Sequence, residues 1–498
     1  MSNRDPRLAL RLVVSVWIVL ALHFATNVSR ELYPALSLAE HGTLAVDEYI
    51  GLHPDIFVAP SGRAFINNNP GASLLAAVPL VVARPLLAAA EAAAKRRLAA
   101  NPLQSPTVYD DPRPNRQRFF REARERGLDL KFGVAAAASA VGLMAPATAL
   151  LAWLMLRVLS GLGMPAGRAA MYGALSVLAT PVFFRAAYLN HNHLLGLVVF
   201  AAFVLLWRRV ATPFTLALAG LLGGVGLALD YSAVVPAAFL GWWALFETRA
   251  AAGASRPRLS ALAYRTAWFG GGAALPVALL LGYQWWAFGR PFTVPQSLMP
   301  ATEYSVQGLS GMSWPQADLI LANLFDLRFG LFAFGPILLL ALPGAYFMPT
   351  SWLRPRQTAV IAVFAAAFLL FCSANQFARL QWNTGLRYLL PLVPFCFLYA
   401  VPVLERLPGV ARRLVLVAAV AQAWTLAMAR ESVPESFLRV FVGGPELPWL
   451  TVIGKTAPQY VPFLDGAPSP TAVLLLGAAA VGALWWPLRP EPRSAENQ

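Results

Sequence analysis

Residues 71–94 read G-A-S-L-L-A-A-V-P-L-V-V-A-R-P-L-L-A-A-A-E-A-A-A, and the sidedness of everything after them depends on how they are read. A run of 24 residues is long enough to cross a bilayer, which takes ~20. Three residues argue against crossing. Pro79 and Pro85 each remove a helix hydrogen bond, and Arg84 at mid-depth costs about 2.5–3.5 kcal/mol on the insertion scale. We read Gly71–Ala94 as a helix lying on the outer membrane face.

Outward from this stretch the chain is apolar. Of its 498 residues, 58% are hydrophobic and 13% charged, against about 45–50% and about 25% in soluble domains. The mean hydropathy is +0.57. Twelve runs read as spans: Leu12–Val28, Phe132–Leu156, Ala169–Leu189, Leu194–Trp207, Pro213–Leu229, Tyr231–Phe246, Ala267–Trp286, Phe329–Met348, Thr358–Ala374, Tyr388–Leu404, Leu414–Ala429 and Pro470–Leu488. Some fall short of the required length and borrow flanking residues. Leu12–Val28 has no small-residue cleavage site behind it and reads as a retained first span. The fold class expected is an all-α polytopic membrane protein with a large first periplasmic loop, 29–131, carrying surface helices. One such helix is expected at F-F-R-E-A-R-E-R, residues 119–126.

Charge parity supports that reading. If 71–94 does not cross, one side holds Arg4, Arg7, Arg11, Arg157, Arg168, Arg208, Arg209, Arg249, Arg256, Arg258, Arg265, Arg354, Arg356, Arg406, Arg412, Arg413, Arg489 and Arg493. Nearly all lie in short loops, where basic residues mark the cytoplasm. Both termini are then cytoplasmic, and the long, Arg-bearing loop 29–131 translocates regardless of its charge. Only Asp5, Glu247, Glu405, Glu491 and Glu496 stay inside, so the remaining acids and His41, His53, His191 and His193 face the periplasm. The net charge of +15 is a topology signal, and nucleic acid is not an expected partner. Cys372 and Cys396 sit inside apolar runs, which leaves neither a disulfide framework nor a thiolate metal site. No internal repeat is evident, which weakens an inverted-repeat transporter.

The segment 29–79 contains S-R-E-L-Y-P-A-L-S-L-A-E-H-G, then H-P-D, then S-G-R-A-F-I-N-N-N-P-G. It resembles the first periplasmic loop of the GT-C superfamily of membrane glycosyltransferases, which includes protein O-mannosyltransferases and lipid A aminoarabinose transferases. Members carry an acid soon after the first span, then A-x-x-L-x-x-x-G, then G-x-x-Y-S-x-K-x-P-G opening a surface helix. Glu31, Gly42, Gly62, Phe65, Pro70 and Gly71 occupy those places. Further similarity runs through A-T-P-V-F-F-R-A-A-Y-L-N-H-N-H (179–193), G-L-A-L-D-Y (226–231), Y-Q-W-W-A-F-G-R-P-F (283–292), R-F-G-L-F-A-F-G-P-I-L-L-L-A-L-P-G (328–344) and W-N-T-G-L-R-Y-L-L-P-L-V-P (382–394). The similarity covers about the first 400 residues. It divides the chain into a module over 1–430 and a last loop, span and tail over 431–498.

The resemblance implies transfer of a sugar from a polyprenyl-phosphate donor, with inversion, to a periplasmic protein, glycolipid or cell-wall polymer. It implies a bacterial inner-membrane location and requires no cofactor; a divalent metal is not indicated. Such transfer needs a carboxylate for the acceptor proton and cations for the departing phosphate. Glu31 is the family's place for the base, with Asp47 and Asp55 as alternatives; a solvated helix-end acid is the plainer reading. Glu40 and Glu48 read as solvated. Arg387 and Arg328 fit a bidentate phosphate contact or interfacial snorkelling. His191 and His193 read as acceptor or phosphate contacts, as a metal pair with poor spacing, or as interfacial structure. Tyr283, Trp285, Trp286 and Phe288 are an interfacial belt or a sugar platform. Asn67-Asn68-Asn69 stands where many relatives have a lysine before P-G, so Asn68 lacks that charge and Arg63 or a later arginine must supply it. The competing classes are a transporter or lipid flippase, which needs ionisable residues at mid-span, and a non-catalytic protein of the same fold.

Overall fold

The computed structural model describes residues 6–100, 114–207, 210, 212–248, 259–457, 460–461 and 469–486. Arg4, Arg208, Arg209, Arg249, Arg256, Arg258, Arg489, Arg493, Asp5, Glu491 and Glu496 lie outside the described residues. The chain is predominantly helical, and its only strands among the described residues form one short hairpin, Ile56–Val58 with Ala64–Ile66, Phe57 opposite Phe65. Among the described residues, four helices are long and apolar enough to cross a membrane: Asp129–Gly161, Leu259–Phe288, Pro355–Ala374 and Gly409–Ala429. Shorter apolar helices include His191–Trp207, Pro213–Leu229 and Pro470–Trp485.

The expected twelve runs are therefore not twelve continuous helices. Run 169–189 is split into Ala166–Leu178 and Pro181–Ala186, where Thr180 caps a new start and Pro181 cannot continue the old ladder. Run 329–348 is broken at Gly335 and Pro336 into short pieces. Periodicity and hydropathy register apolar length; they do not register where proline and glycine interrupt hydrogen bonding.

Gly71–Ala94 is likewise not one helix. It forms Gly71–Val82 and Arg84–Ala100, bent by 80° about Ala83. Pro85, which has no N–H and would clash with the carbonyl four residues back, accounts for the break. Pro79 stays within the first helix and sits against Gly142, where a Cβ would lie 2.7 Å from the proline's Cβ. Gly142 belongs to a π-helical turn, Ala140–Met144, inside Asp129–Gly161. Thus two backbone irregularities are packed into each other. The second half lies along Asp129–Ser139, and Lys131 is buried between Glu40 (2.8 Å) and Glu91 (2.9 Å).

The chain before the bent pair (Arg30, Asn67) and after it (Arg116, Asp129) borders one cavity. The pair therefore returns the chain to the cavity from which it set out. A second group of ion pairs lies elsewhere in the bundle. There Glu405 holds Arg168, Arg412 (3.3 Å) and the Tyr172 hydroxyl (2.8 Å), and Glu247 holds Arg356 at 2.7 Å.

Pro213–Leu229 packs closely against Leu259–Phe288. A Cβ at Gly220 would fall 1.9 Å from the Phe269 carbonyl oxygen, and one at Gly272 1.9 Å from that of Ala217. Lipid tails supply no hydrophobic drive between helices, so close backbone approach through small residues gives the attraction.

In a Cys372→Ala, Cys396→Ala background, single cysteines at Ser61 and Thr302 should react with an impermeant maleimide from one side of sealed vesicles, and one at Arg413 only from the other. Labelling of Ser61→Cys and Arg413→Cys from the same side would exclude this arrangement.

Candidate active site

A cavity of about 2140 Å³ opens at the end of the bundle where the loops bearing Arg30, Asp55 and Thr302 converge. Ligand pockets commonly measure about 300–1,000 Å³, so there is room here for two substrates. Its walls come from the segment after the first helix, the H-P-D turn, the 185–191 turn, Asp230–Ser232, the loop 288–312 and the stretch before Tyr388.

Glu31 enters where the chain turns from the first helix into Leu32–His41. Its carbonyl accepts from Ser73 Oγ at 2.8 Å, which fixes the turn against Gly71–Val82, and Glu31 is only 3% exposed. Its carboxylate Oε1 meets His191 Nδ1, at the first residue of His191–Trp207. The other ring nitrogen, Nε2, lies 3.0 Å from Asp230 Oδ2. Asp230 follows Pro213–Leu229, and its Oδ1 accepts from the Ser232 N–H at 2.7 Å. Beside them Arg30 Nη1 reaches Asp55 (3.0 Å) and Asn67 Oδ1 (2.9 Å), and its Nε lies 3.6 Å from Glu31.

These contacts decide ionisation. Burial opposes the charge on Glu31, but the hydrogen bond and charge of His191, with the field of Arg30, outweigh it and hold the carboxyl well below the usual range. Asp55 is also held low: burial opposes ionisation, and the fields of His53 and Arg30 with the Arg30 hydrogen bond reverse it.

Two further cations border the cavity. Arg185 is buried, donates to the Thr384 carbonyl at 2.9 Å and packs on Tyr188. Arg387 lies over the Tyr388 ring, 4.8 Å from its centroid, with one long contact of 3.5 Å to the Phe377 carbonyl. The Nε of each is buried without a partner. Among the described residues no carboxylate lies within 4.0 Å of either guanidinium. The Arg387 turn is built by Gln381, whose Oε1 accepts from the N–H groups of Arg387 and Tyr388, both at 3.1 Å. Gly385 permits it: φ is +73°, and a Cβ there would strike the Phe184 ring at 2.5 Å.

Of the residues singled out from sequence, Glu31, Asp55, His191 and Arg387 border the cavity together. Asp47 and Arg63 do not; they pair at 2.6 Å on an exposed surface, where Asp47 also accepts from Ala64 N and ties down the hairpin. Arg328 is exposed and held by Asp326 at 2.7 Å. His193 is buried away from the cavity, its Nε2 2.6 Å from Thr148 Oγ1. Tyr283 packs with Phe65 and Phe288. Asn68 is buried with neither amide atom partnered, and it is Asn67 that reaches the cavity wall.

Arg30, Arg185 and Asp230 are site residues that sequence reasoning passed over. Each is an ionisable group at an end of an apolar run on the outer side, and that shared parity is the signal that would have found them. His191 gives its two nitrogens to different carboxylates, so Glu31, His191 and Asp230 cannot close on a single ion through one atom each. Glu40, His41 and Glu48 bring ligand-type atoms within 4.8 Å of one another, outside the cavity and mostly in solvent. No family model, curated protein or solved structure matches the chain.

The pairing has a pH signature. A carboxylate whose folded pKa is depressed contributes stability above its unfolded value, about 4, and loses it as pH falls. The wild type should keep its unfolding temperature from pH 8 to about 5 and lose it below about 4. Arg30→Gln orphans Asp55, costs on the order of 1–3 kcal/mol, and should begin losing stability at higher pH. Superimposable pH profiles in scanning fluorimetry would show that Arg30 does not hold these carboxylates.

Proposed function

We propose that the chain is a polytopic glycosyltransferase of the GT-C type, with about twelve passes and its cavity at the periplasmic face of a bacterial inner membrane. It moves a sugar from a polyprenyl-phosphate donor to an acceptor hydroxyl, with inversion. One observation carries the reading: a buried, ionised carboxylate, Glu31, shares a cavity with two guanidiniums, Arg185 and Arg387, that no described carboxylate contacts within 4.0 Å. A buried cation without a counter-ion is costly unless an anion is brought to it. A lipid phosphate supplies that anion, while a sugar nucleotide would be on the other side of the membrane.

In this reaction the acceptor oxygen attacks the anomeric carbon as its bond to the phosphate oxygen breaks. The electron pair leaves with the phosphate, which Arg185 and Arg387 hold, and the acceptor proton passes to Glu31. The apolar wall formed by Leu298, Met299, Leu309 and Phe371 suits the first isoprene units. Arg387 also answers the missing charge at Asn68, since a later loop brings the cation to the phosphate. Four or five long apolar helices support membrane insertion, and the remaining passes are assigned to shorter or interrupted ones.

Purified protein incubated with polyprenyl-phosphate sugars and candidate acceptors should release polyprenyl phosphate. Glu31→Gln should lower turnover by about 10²–10⁴-fold, the usual share of a general base, with donor affinity little changed. Full activity in this variant would move the proton to Asp55.

Arg387→Ala should weaken donor binding by about 1.5–3 kcal/mol, the value of a charged hydrogen bond. Arg387→Lys, which keeps charge but loses the planar fork, should fall between. Unchanged donor affinity in the alanine variant would leave Arg387 as an interfacial anchor only.

A further inference from the structure

The Glu31 carboxylate has a second row behind it. Glu31, His191 and Asp230 come from three separate helix ends, at 31, 191 and 230, and meet in one line: carboxylate, imidazole, carboxylate. Glu31 and His191 are almost fully buried, their side chains 4% and 5% exposed. A neutral imidazole can donate from one nitrogen only. Its other nitrogen would then turn a lone pair toward a carboxylate oxygen in a buried site, which is repulsive. Two ionised carboxylates are both satisfied only by a ring protonated at both nitrogens.

We infer that Asp230 and His191 are positioning residues for the proposed transfer. Asp230 holds the His191 ring in its doubly protonated form, and that ring fixes Glu31 ionised, with one oxygen engaged and the other left for the acceptor hydroxyl. The inference rests on the glycosyl-transfer reading for its catalytic consequence but not for its geometry. It also withdraws His191 from direct phosphate contact, since neither ring nitrogen is free.

The charges around the line fit this arrangement. Arg30 stands 3.6 Å from Glu31 and carries Asp55, with His53 behind it. Ser232 N–H caps the outer oxygen of the Asp230 carboxylate. Arg185 and Arg387 border the same cavity. The group around Glu31 therefore holds three carboxylates against two cations, one net negative charge, with those two further cations in the same space. His191 opens a helix, whose N-terminal dipole disfavours an added positive charge, so the two carboxylates are what offset it.

A carboxylate held so strongly ionised is a weak base, and the reaction tolerates that. In a loose, oxocarbenium-like transition state the acceptor proton becomes acidic as the new C–O bond forms. It then moves from the acceptor oxygen to Glu31 late, while the C1–O electron pair departs with phosphate. The group around Glu31 becomes neutral as it does so, with no oxidant, metal or further reactant required.

Two measurements separate this inference from the reading beneath it. Nitrogen NMR of ¹⁵N-histidine protein, with His191→Gln assigning the signal, should show an imidazolium at pH 7.5 that becomes neutral in Asp230→Asn. A neutral His191 ring in the wild type overturns the inference whether or not the protein turns over. The second measurement is the pH profile of kcat/KM. The acid limb of the wild type should lie below pH 5, and in Asp230→Asn and His191→Gln it should rise by about 1–3 pH units, the usual effect of losing an opposite charge on a carboxyl. A merely structural role lowers the rate equally at every pH, and parallel profiles would overturn the proposal. A wild type that releases no polyprenyl phosphate sinks the transferase reading, and the state of the ring is still decided by NMR.

Discussion

A charge removed from water must find its opposite or a strong hydrogen bond, because desolvation alone costs several kcal/mol per ion. The outer end of this molecule is organised by that constraint. Glu31 is reached by His191, His191 by Asp230, and Arg30 joins Glu31 to Asp55. Each link joins a different segment, so the pairing also gathers the helix ends that form the cavity. Two exceptions, Arg185 and Arg387, have no described carboxylate within 4.0 Å, and they border the same space. A site where some charges are paired in contact and others are not has a built-in place for an anion.

The backbone follows a second constraint, which is that irregular helix must be covered by other protein. The bent pair at Ala83 is held by Pro79 against Gly142 in a π-helical turn, and by Lys131 between Glu40 and Glu91. Arg84 hydrogen-bonds the Glu40 carbonyl at 3.0 Å. A proline or an arginine in an apolar run would be a fault in an isolated span. Here each has a partner that absorbs it, and the bent pair keeps Arg30 and Arg116 at one cavity. The exposed apolar residues Leu74, Val78 and Val82 of the first half are what such a pair would present to lipid.

Much of this was legible before any coordinates. Apolar composition and run length give an all-helical chain, because only helices or closed barrels satisfy backbone groups in a bilayer and the runs are helix-length. The arginines in short loops separate the two ends, and Arg168, Arg412 and Glu405, or Arg356 and Glu247, do meet as groups of one side should. Helix continuity was less legible. Runs 169–189 and 329–348 are apolar throughout, and their breaks come from Pro181 and Pro336, whose missing N–H groups hydropathy does not weigh.

Sequence alone determined the helical, apolar character of the chain, since that is a sum over local residues: enough apolar length in helix-length runs. It also placed Glu31, Asp55, His191 and Arg387 among the candidates, because each is a chemically capable side chain at an outer end. It could not choose between Glu31 and Asp47, or between His191 and His193, since in each pair both residues lie on the same outer side. Tertiary structure alone decided that Asp47 is spent on Arg63 in solvent and His193 on Thr148, whereas Glu31 is buried behind His191 and Asp230. The physical reason is that an electrostatic partner is chosen by distances of a few ångströms between segments 160 and 39 residues apart, and no local pattern records those distances.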